Sequence, residues 1–344
     1  MKKRLIELDG PRCLANYLIV LYHGYTVLQF CDADLAESEI WSFLTMILFT
    51  SLSALFLISG YCMALGWQKC SFVGKLKRRV FRLAIPYVAW NLIFIVLYLA
   101  AARYSSLFAQ KVSNRNLCSI AGWVEQIFAC PIDGPLWYIR AIFIYAVVSP
   151  VACWLLRLRC GMIAGVSLIM AWAMYSHYTG LERGLVLSFP TYSIFSYLVG
   201  MWFALSNVSL SKLANKMLAC VAVVFWIGEW FLGEIAHGTV CWSIGVILGI
   251  PVWLLIGTWM ASKCKGSRVY ETAKDMSYFV YSSHILISPI FSHAMASVLS
   301  ASFIGRFTLL VAVYFIGGVV FCYALICMLR KVFPFGARML NGEL

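Results

Sequence analysis

Charge is scarce in this chain of 344 residues: Asp, Glu, Lys and Arg together make up 12%, against about 25% in soluble domains. Acidic residues are the scarcer sign, 14 against 27 Lys and Arg. Hydrophobic residues reach 62% and the mean hydropathy is +0.86, which excludes an ordinary water-soluble domain. The 13 cysteines contain no C-x-x-C and no paired metal-ligand spacing, so no metal site is expected. Most of them fall in apolar runs, where cysteine acts as a small buried hydrophobe. Cys31, Cys118 and Cys130 lie in or near connecting segments, and a disulfide among them stays open. No repeat, low-complexity tract or linker divides the chain, and one domain over 1–344 is expected.

What fills the sequence instead is apolar runs of membrane-spanning length, about 20 residues each. Ten are legible: 12–30, 41–66, 83–102, 135–156, 160–176, 188–206, 217–234, 240–261, 276–298 and 305–329. The first follows Met1-Lys2-Lys3-Arg4 as a signal peptide would, but Asp9-Gly10-Pro11-Arg12 interrupts the approach and no small-residue cleavage site follows. It is expected to be a retained helix, with Asp9 or Gly10 near the N-cap and Pro11 in the first turn. The connection 103–134 carries IAGWVEQIFACPIDGP, expected to fold back or to form a short amphipathic helix.

Cations set the expected orientation. Of the 27 Lys and Arg, 21 fall on the N-terminal side, with Arg12 counted there, and in 67–82, 157–159, 207–216, 262–275 and 330–344. The alternate loops hold Arg103, Lys111, Arg115, Arg183 and Arg306. The positive-inside rule then puts both termini in the cytoplasm of an all-α, polytopic membrane protein, in a bacterial inner or plasma membrane. The net charge of +13 is accounted for by short inner loops beside anionic lipid, with no nucleic-acid partner implied.

Against this background a few polar residues stand out. Arg12 and His23 lie eleven positions apart in the first run. At about 100° and 1.5 Å per residue they share one helix face, about 16 Å apart along the axis. An ionisable residue at that depth is costly and usually functional, and a neutral imidazole can take a proton from an alcohol. The first inner loop holds Lys69, Lys75, Lys77, Arg78, Arg79 and Arg82. Topology alone asks for cations there, but Arg79 and Arg82, three apart, also suit a clamp on a polyphosphate. In the ninth run Tyr278, Tyr281 and His284 recur at three-residue steps; a belt explains the tyrosines, while His284 is a candidate for a polar cavity. Trp137 and Tyr138 fit an interfacial belt, and Arg140 lies a turn deeper, with Glu229 as a candidate partner. His177, His237 and His293 are read as solvated or structural.

Five segments in order carry a resemblance: Arg12-x10-His23, FLISGY at 56–61, KRRVFRLAIPY at 77–87, PLWYIRA at 135–141 and SYFVYSSHILI at 277–287. Together they resemble the acyltransferase family 3 integral membrane proteins, in the stand-alone form without an appended extracytoplasmic domain. Pro11 and Cys13 flanking the arginine, and Ser282-Ser283 before the histidine, depart from the usual pattern.

The resemblance implies O-acetyltransferase-type activity: an acyl group, by family frequency acetyl, moves from cytoplasmic acetyl-CoA or another acyl-CoA to a hydroxyl. The acceptor would be a cell-envelope polysaccharide, another exported glycan or a polyprenyl-linked saccharide. His23 with Arg12 would be catalytic, with His23 as general base or as an acyl carrier. Arg78, Arg79 and Arg82 would hold the donor phosphates, and Trp137, Arg140, Tyr281, His284 and Glu229 would line the acceptor cavity. No permanently bound cofactor is implied; the partners are the donor, the acceptor and membrane lipid. The alternative is a transporter or flippase of a lipid-linked saccharide or small metabolite, because intramembrane Arg and His also mark substrate pathways. No inverted repeat is visible in support of it.

Overall fold

A computed structural model of the chain describes residues 6–31, 39–65, 67, 71–104, 106–128, 134–158, 165, 190–232, 240–288 and 310–343. Among the described residues every regular element is helical and no strand occurs. In chain order these are α1 (Ile6–Cys31), α2 (Glu39–Ala64), α3 (Phe72–Arg79) and α4 (Ile85–Ala101). Then come α5 (Ser106–Asn114), α6 (Ile120–Phe128), α7 (Trp137–Arg157), α8 (Thr191–Leu205) and α9 (Lys216–Leu232). The chain continues through α10 (Val240–Leu248), α11 (Ile250–Cys264), α12 (Arg268–Ser283), α13 (Gly318–Val332) and α14 (Pro334–Leu340). Five helices, Met46–Ala64, Phe72–Ala101, Gly134–Arg157, Ile244–Cys264 and Ala312–Val332, are long and apolar enough to cross a bilayer. The expected fifth run, 160–176, apart from residue 165, and His177, His237, His293 and Cys130 lie outside the described residues.

The helix bounds correct the sequence reading in three places. First, α1 begins at Ile6, so Asp9, Gly10 and Pro11 lie inside it rather than at its start. Proline there removes one backbone bond; the close approach of α11 accounts for the turn. A Cβ on Gly10 would lie 2.2 Å from the carbonyl oxygen of Gly257, and one on Gly257 would lie 2.4 Å from Pro11 Cα. Second, the helix expected from residue 83 starts at Phe72, with Ser71 as N-cap accepting from the Gly74 N–H at 3.1 Å. It runs through a π turn at Val80–Ala84, where the Ile85 N–H reaches back to the Val80 carbonyl. Third, α12 starts at Arg268, eight residues before the expected span, with Ser267 accepting from the Tyr270 N–H at 3.2 Å. Its first turns are too polar for hydropathy to find, yet from Met276 to Ser283 every residue but the half-buried Tyr278 is buried. The run read at 240–261 holds α10 and α11, which follow on across Gly249 within the single span Ile244–Cys264.

The segment after α4 folds as two short helices, in line with the expectation for IAGWVEQIFACPIDGP: α6 spans Ile120–Phe128, and its Ile127 carbonyl accepts from the Tyr87 hydroxyl at 2.5 Å. Cys118 beside it is an exposed free thiol. The core centres on α2. It packs along α8 so tightly that a Cβ on Gly60 would lie 1.9 Å from the Tyr197 carbonyl oxygen, the small-residue contact that lets membrane helices approach closely. On its other flank α2 meets α1, which also packs on α11 and α12.

Candidate active site

Two helices, α1 and α12, set the site. Asn16 Nδ2 donates to Ser277 Oγ at 3.3 Å, and the Tyr17 hydroxyl donates to the Ala273 carbonyl at 3.0 Å. Seven residues farther along each helix, about two turns, the His23 and His284 rings meet with centroids 5.2 Å apart and planes tilted by 33°. Equal steps from one contact to the next are what side-by-side helices running in the same direction produce. His284 opens the 3₁₀ turn His284–Ile287 and is fully buried. Its Nδ1 lies 2.7 Å from the Tyr281 carbonyl oxygen; a carbonyl only accepts, so Nδ1 carries the proton and Nε2 is the bare nitrogen.

On the side of the α1 start, a cavity of about 750 Å³ opens between α1, α2, α3, α7, α12 and the stretch after α13. The four predicted arginines, Arg12, Arg78, Arg79 and Arg82, all line it, although they come from separate parts of the sequence. Lys75, Lys274 and Arg330 join them, so seven cationic side chains face three carboxylates, Asp9, Asp275 and Glu343. Most of these cations are already engaged. Lys75 Nζ donates to the Met63 and Leu65 carbonyls at 2.6 and 2.8 Å, capping the end of α2. Arg79 Nη2 donates to the Ser59 carbonyl at 3.0 Å, and Arg12 Nη2 lies 3.5 Å from Cys62 Sγ. Lys274 pairs with Glu271, and Arg330 with Glu343 at 2.9 Å. Arg78 and Arg82 are exposed to the cavity, and no hydrogen bond or ion pair to either occurs among the described residues. The forked donors of a guanidinium without such a partner can take an anion such as phosphate.

Neither histidine lines this cavity. Tyr281 does, and it forms the wall between the cations and the imidazoles: its carbonyl holds His284 and its hydroxyl donates to the Pro135 carbonyl. Tyr138 lines the same wall, 3.3 Å from Ser59 Oγ and edge-on to Tyr281 at 5.9 Å. It is buried rather than an interfacial belt residue. Trp137 packs on Phe56 at 5.8 Å and does not line the cavity. Arg140 Nη1 donates to the Phe128 carbonyl at 3.0 Å, tying α7 to α6, while Glu229 sits on α9, which packs on α10, α11 and α2.

The sequence reading missed Lys274, Arg330 and the 341–343 segment as parts of the cavity lining. Asn341, 5% exposed, accepts from the Phe279 N–H at 3.0 Å and donates to the Asp275 carbonyl at 2.8 Å, fixing this segment against α12. Asn16 carried a signal that was passed over: a buried amide in an apolar helix, seven residues before His23.

A family model described as an acyltransferase domain, that of acyltransferase family 3, matches residues 5–327. The chain belongs to acyltransferase family 3. No curated protein and no solved structure matches it. The matched acyltransferase stretch holds both histidines and every cation of the cavity except Arg330. Arg330, Asn341 and Glu343 come from beyond the match, so the bowl is completed by residues outside the family model.

Proposed function

We propose that this acyltransferase moves an acetyl group from cytoplasmic acetyl-CoA to a hydroxyl of a cell-envelope or exported glycan, or of its polyprenyl-linked precursor. The observation that carries this reading is the cationic cavity, where Arg78 and Arg82 have no partner among the described residues, with Tyr281 in its lining and the Tyr281 carbonyl on His284 of the imidazole pair. Coenzyme A carries a pyrophosphate and a 3′-phosphate, and the bowl supplies cations for both. The thin, largely neutral pantetheine arm would pass Tyr281 to bring the thioester to His23. There His23 takes the proton of the acceptor hydroxyl as its oxygen adds to the thioester carbonyl. The tetrahedral intermediate collapses, the carbon–sulfur bond breaks, and the imidazolium returns the proton to the departing thiolate. Ester and free thiol are the products, and no other reactant is required. The topology that goes with this reading has ten spans and both termini in the cytoplasm, which puts the bowl on the acetyl-CoA side.

The test is purified protein in nanodiscs with radiolabelled acetyl-CoA and an envelope glycan acceptor. Label moving onto the glycan in the wild type, and none above background in His23→Ala at equal insertion, is the expected result. Wild-type transfer by His23→Ala removes His23 as base, and movement of a saccharide across the membrane without covalent transfer makes the chain a carrier.

A further inference from the structure

The proposed reaction asks one histidine to take up a proton inside a bilayer, and the fold puts a second histidine beside it in a fixed state. His284 is fully buried, its Nδ1–H is committed to the Tyr281 carbonyl at 2.7 Å, and its Nε2 has no hydrogen-bond partner among the described residues. A buried acceptor without a donor costs stability, of the order of 1–3 kcal/mol, so such groups are rare and mark sites where a donor arrives in function. The His23 ring lies 5.2 Å away, centroid to centroid, and the Asn16–Ser277 contact two turns earlier holds the two helices in register.

We propose that His284 is a positioning residue for His23: its bare Nε2 accepts an N–H from the His23 ring as that ring becomes imidazolium. The inference rests on the reading of His23 as base. In the resting state the two rings are close but not bonded, and catalytic hydrogen bonds often close only once the reaction complex forms. A neutral His23 needs one nitrogen bare to act as base. Once protonated it has two N–H groups, one for the leaving thiolate and one that His284 receives. The neutral ring already carries the N–H that faces His284, and as imidazolium it becomes a stronger, charge-assisted donor, so the contact stabilises the transition state more than the ground state and its loss falls mainly on kcat rather than on KM.

Two amide substitutions separate this role from a structural one. Gln carries its polar atoms near the Nε2 position, while Asn carries them near Nδ1 and can keep the bond to the Tyr281 carbonyl. His284→Leu should lower kcat by about tenfold or more with the KM for acetyl-CoA within about twofold of wild type. His284→Gln should recover most of kcat and His284→Asn little of it. Recovery by Asn and not by Gln would show that the Tyr281 contact is what matters and would overturn the proposal, as would wild-type kcat in His284→Leu. Because His23→Ala is measured alongside, the two ideas fail separately: an inactive His23→Ala with a fully active His284→Leu overturns only the inference, whereas an active His23→Ala overturns the base itself.

Discussion

If the bowl holds the phosphates of the donor, its cations should not contribute equally, and the order follows from what each already touches. Arg82 has no protein partner among the described residues and faces the cavity from the π turn. Removing it in Arg82→Ala costs the fold little. A lost charge-assisted hydrogen bond to phosphate is worth about 1.5–3 kcal/mol, which at 1.4 kcal/mol per decade is an affinity loss of about 10- to 150-fold. Arg78→Ala should behave alike. Lys75 is the contrast: it is 7% exposed and donates to two carbonyls at the end of α2. Lys75→Met should therefore lower thermal stability, leaving two carbonyls without their cation, and weaken donor binding less than Arg82→Ala does. Arg79→Ala should do both, because its guanidinium lines the cavity and also holds the Ser59 carbonyl. Titration of nanodisc-embedded protein with acetyl-CoA reads the affinities, and thermal unfolding in the same nanodiscs reads the stabilities. Added salt should weaken binding to wild type more steeply than to Arg82→Ala, since one fewer cation is then screened. The reasoning is refuted if Arg82→Ala binds within about twofold of wild type, a loss smaller than any charge-assisted contact explains, or if Lys75→Met is the weaker binder of the two.

Three further outcomes follow from packing. Gly60→Ala puts a methyl group 1.9 Å from the Tyr197 carbonyl oxygen, a backbone atom that cannot rotate away. Overpacking of this kind costs about 1–3 kcal/mol, and the forced separation of α2 from α8 should also raise KM for the donor through Ser59 and Arg79. Gly228→Ala, with nothing within 4 Å of the added carbon, is the control and should melt no lower than wild type. Asn341→Leu removes two hydrogen bonds to the α12 backbone, each worth about 0.5–1.5 kcal/mol. It should increase protease cleavage after α13, and intact wild-type resistance in that variant would sink the anchoring role.

Helix and cation positions were legible in the sequence to different degrees. Arg12, Arg78, Arg79 and Arg82 were legible because hydropathy makes every cation next to an apolar run conspicuous, and the cavity gathers all four. Helix starts were less legible. Hydropathy registers the apolar face of α12 from Met276, but the Ser267 cap and the polar turns after it belong to the same helix. Pro11 inside α1 ran against the usual stop signal because a tertiary contact, Gly10 and Pro11 on Gly257, overrides local preference. Arg330 and Glu343 could not be assigned to the bowl at all, since nothing local says that the stretch after α13 returns to α12.

The histidine pair lies between these cases, and it shows what a single chain leaves unread. Both rings were visible as ionisable groups in apolar runs, on helices 261 positions apart. Asn16 and Ser277 each lie seven residues before their histidine, and the equal spacing is legible only after one of the two contacts is known. Given the first contact, the second follows from helix geometry, because seven residues return both side chains to nearly the same face. The same logic makes the pair sensitive to register. A one-residue insertion in α1 between Asn16 and His23 would turn the His23 ring by about 100° while leaving Arg12 and the bowl untouched. Such a variant should bind acetyl-CoA as wild type does and fail to transfer, separating the binding end of the helix from its chemical end.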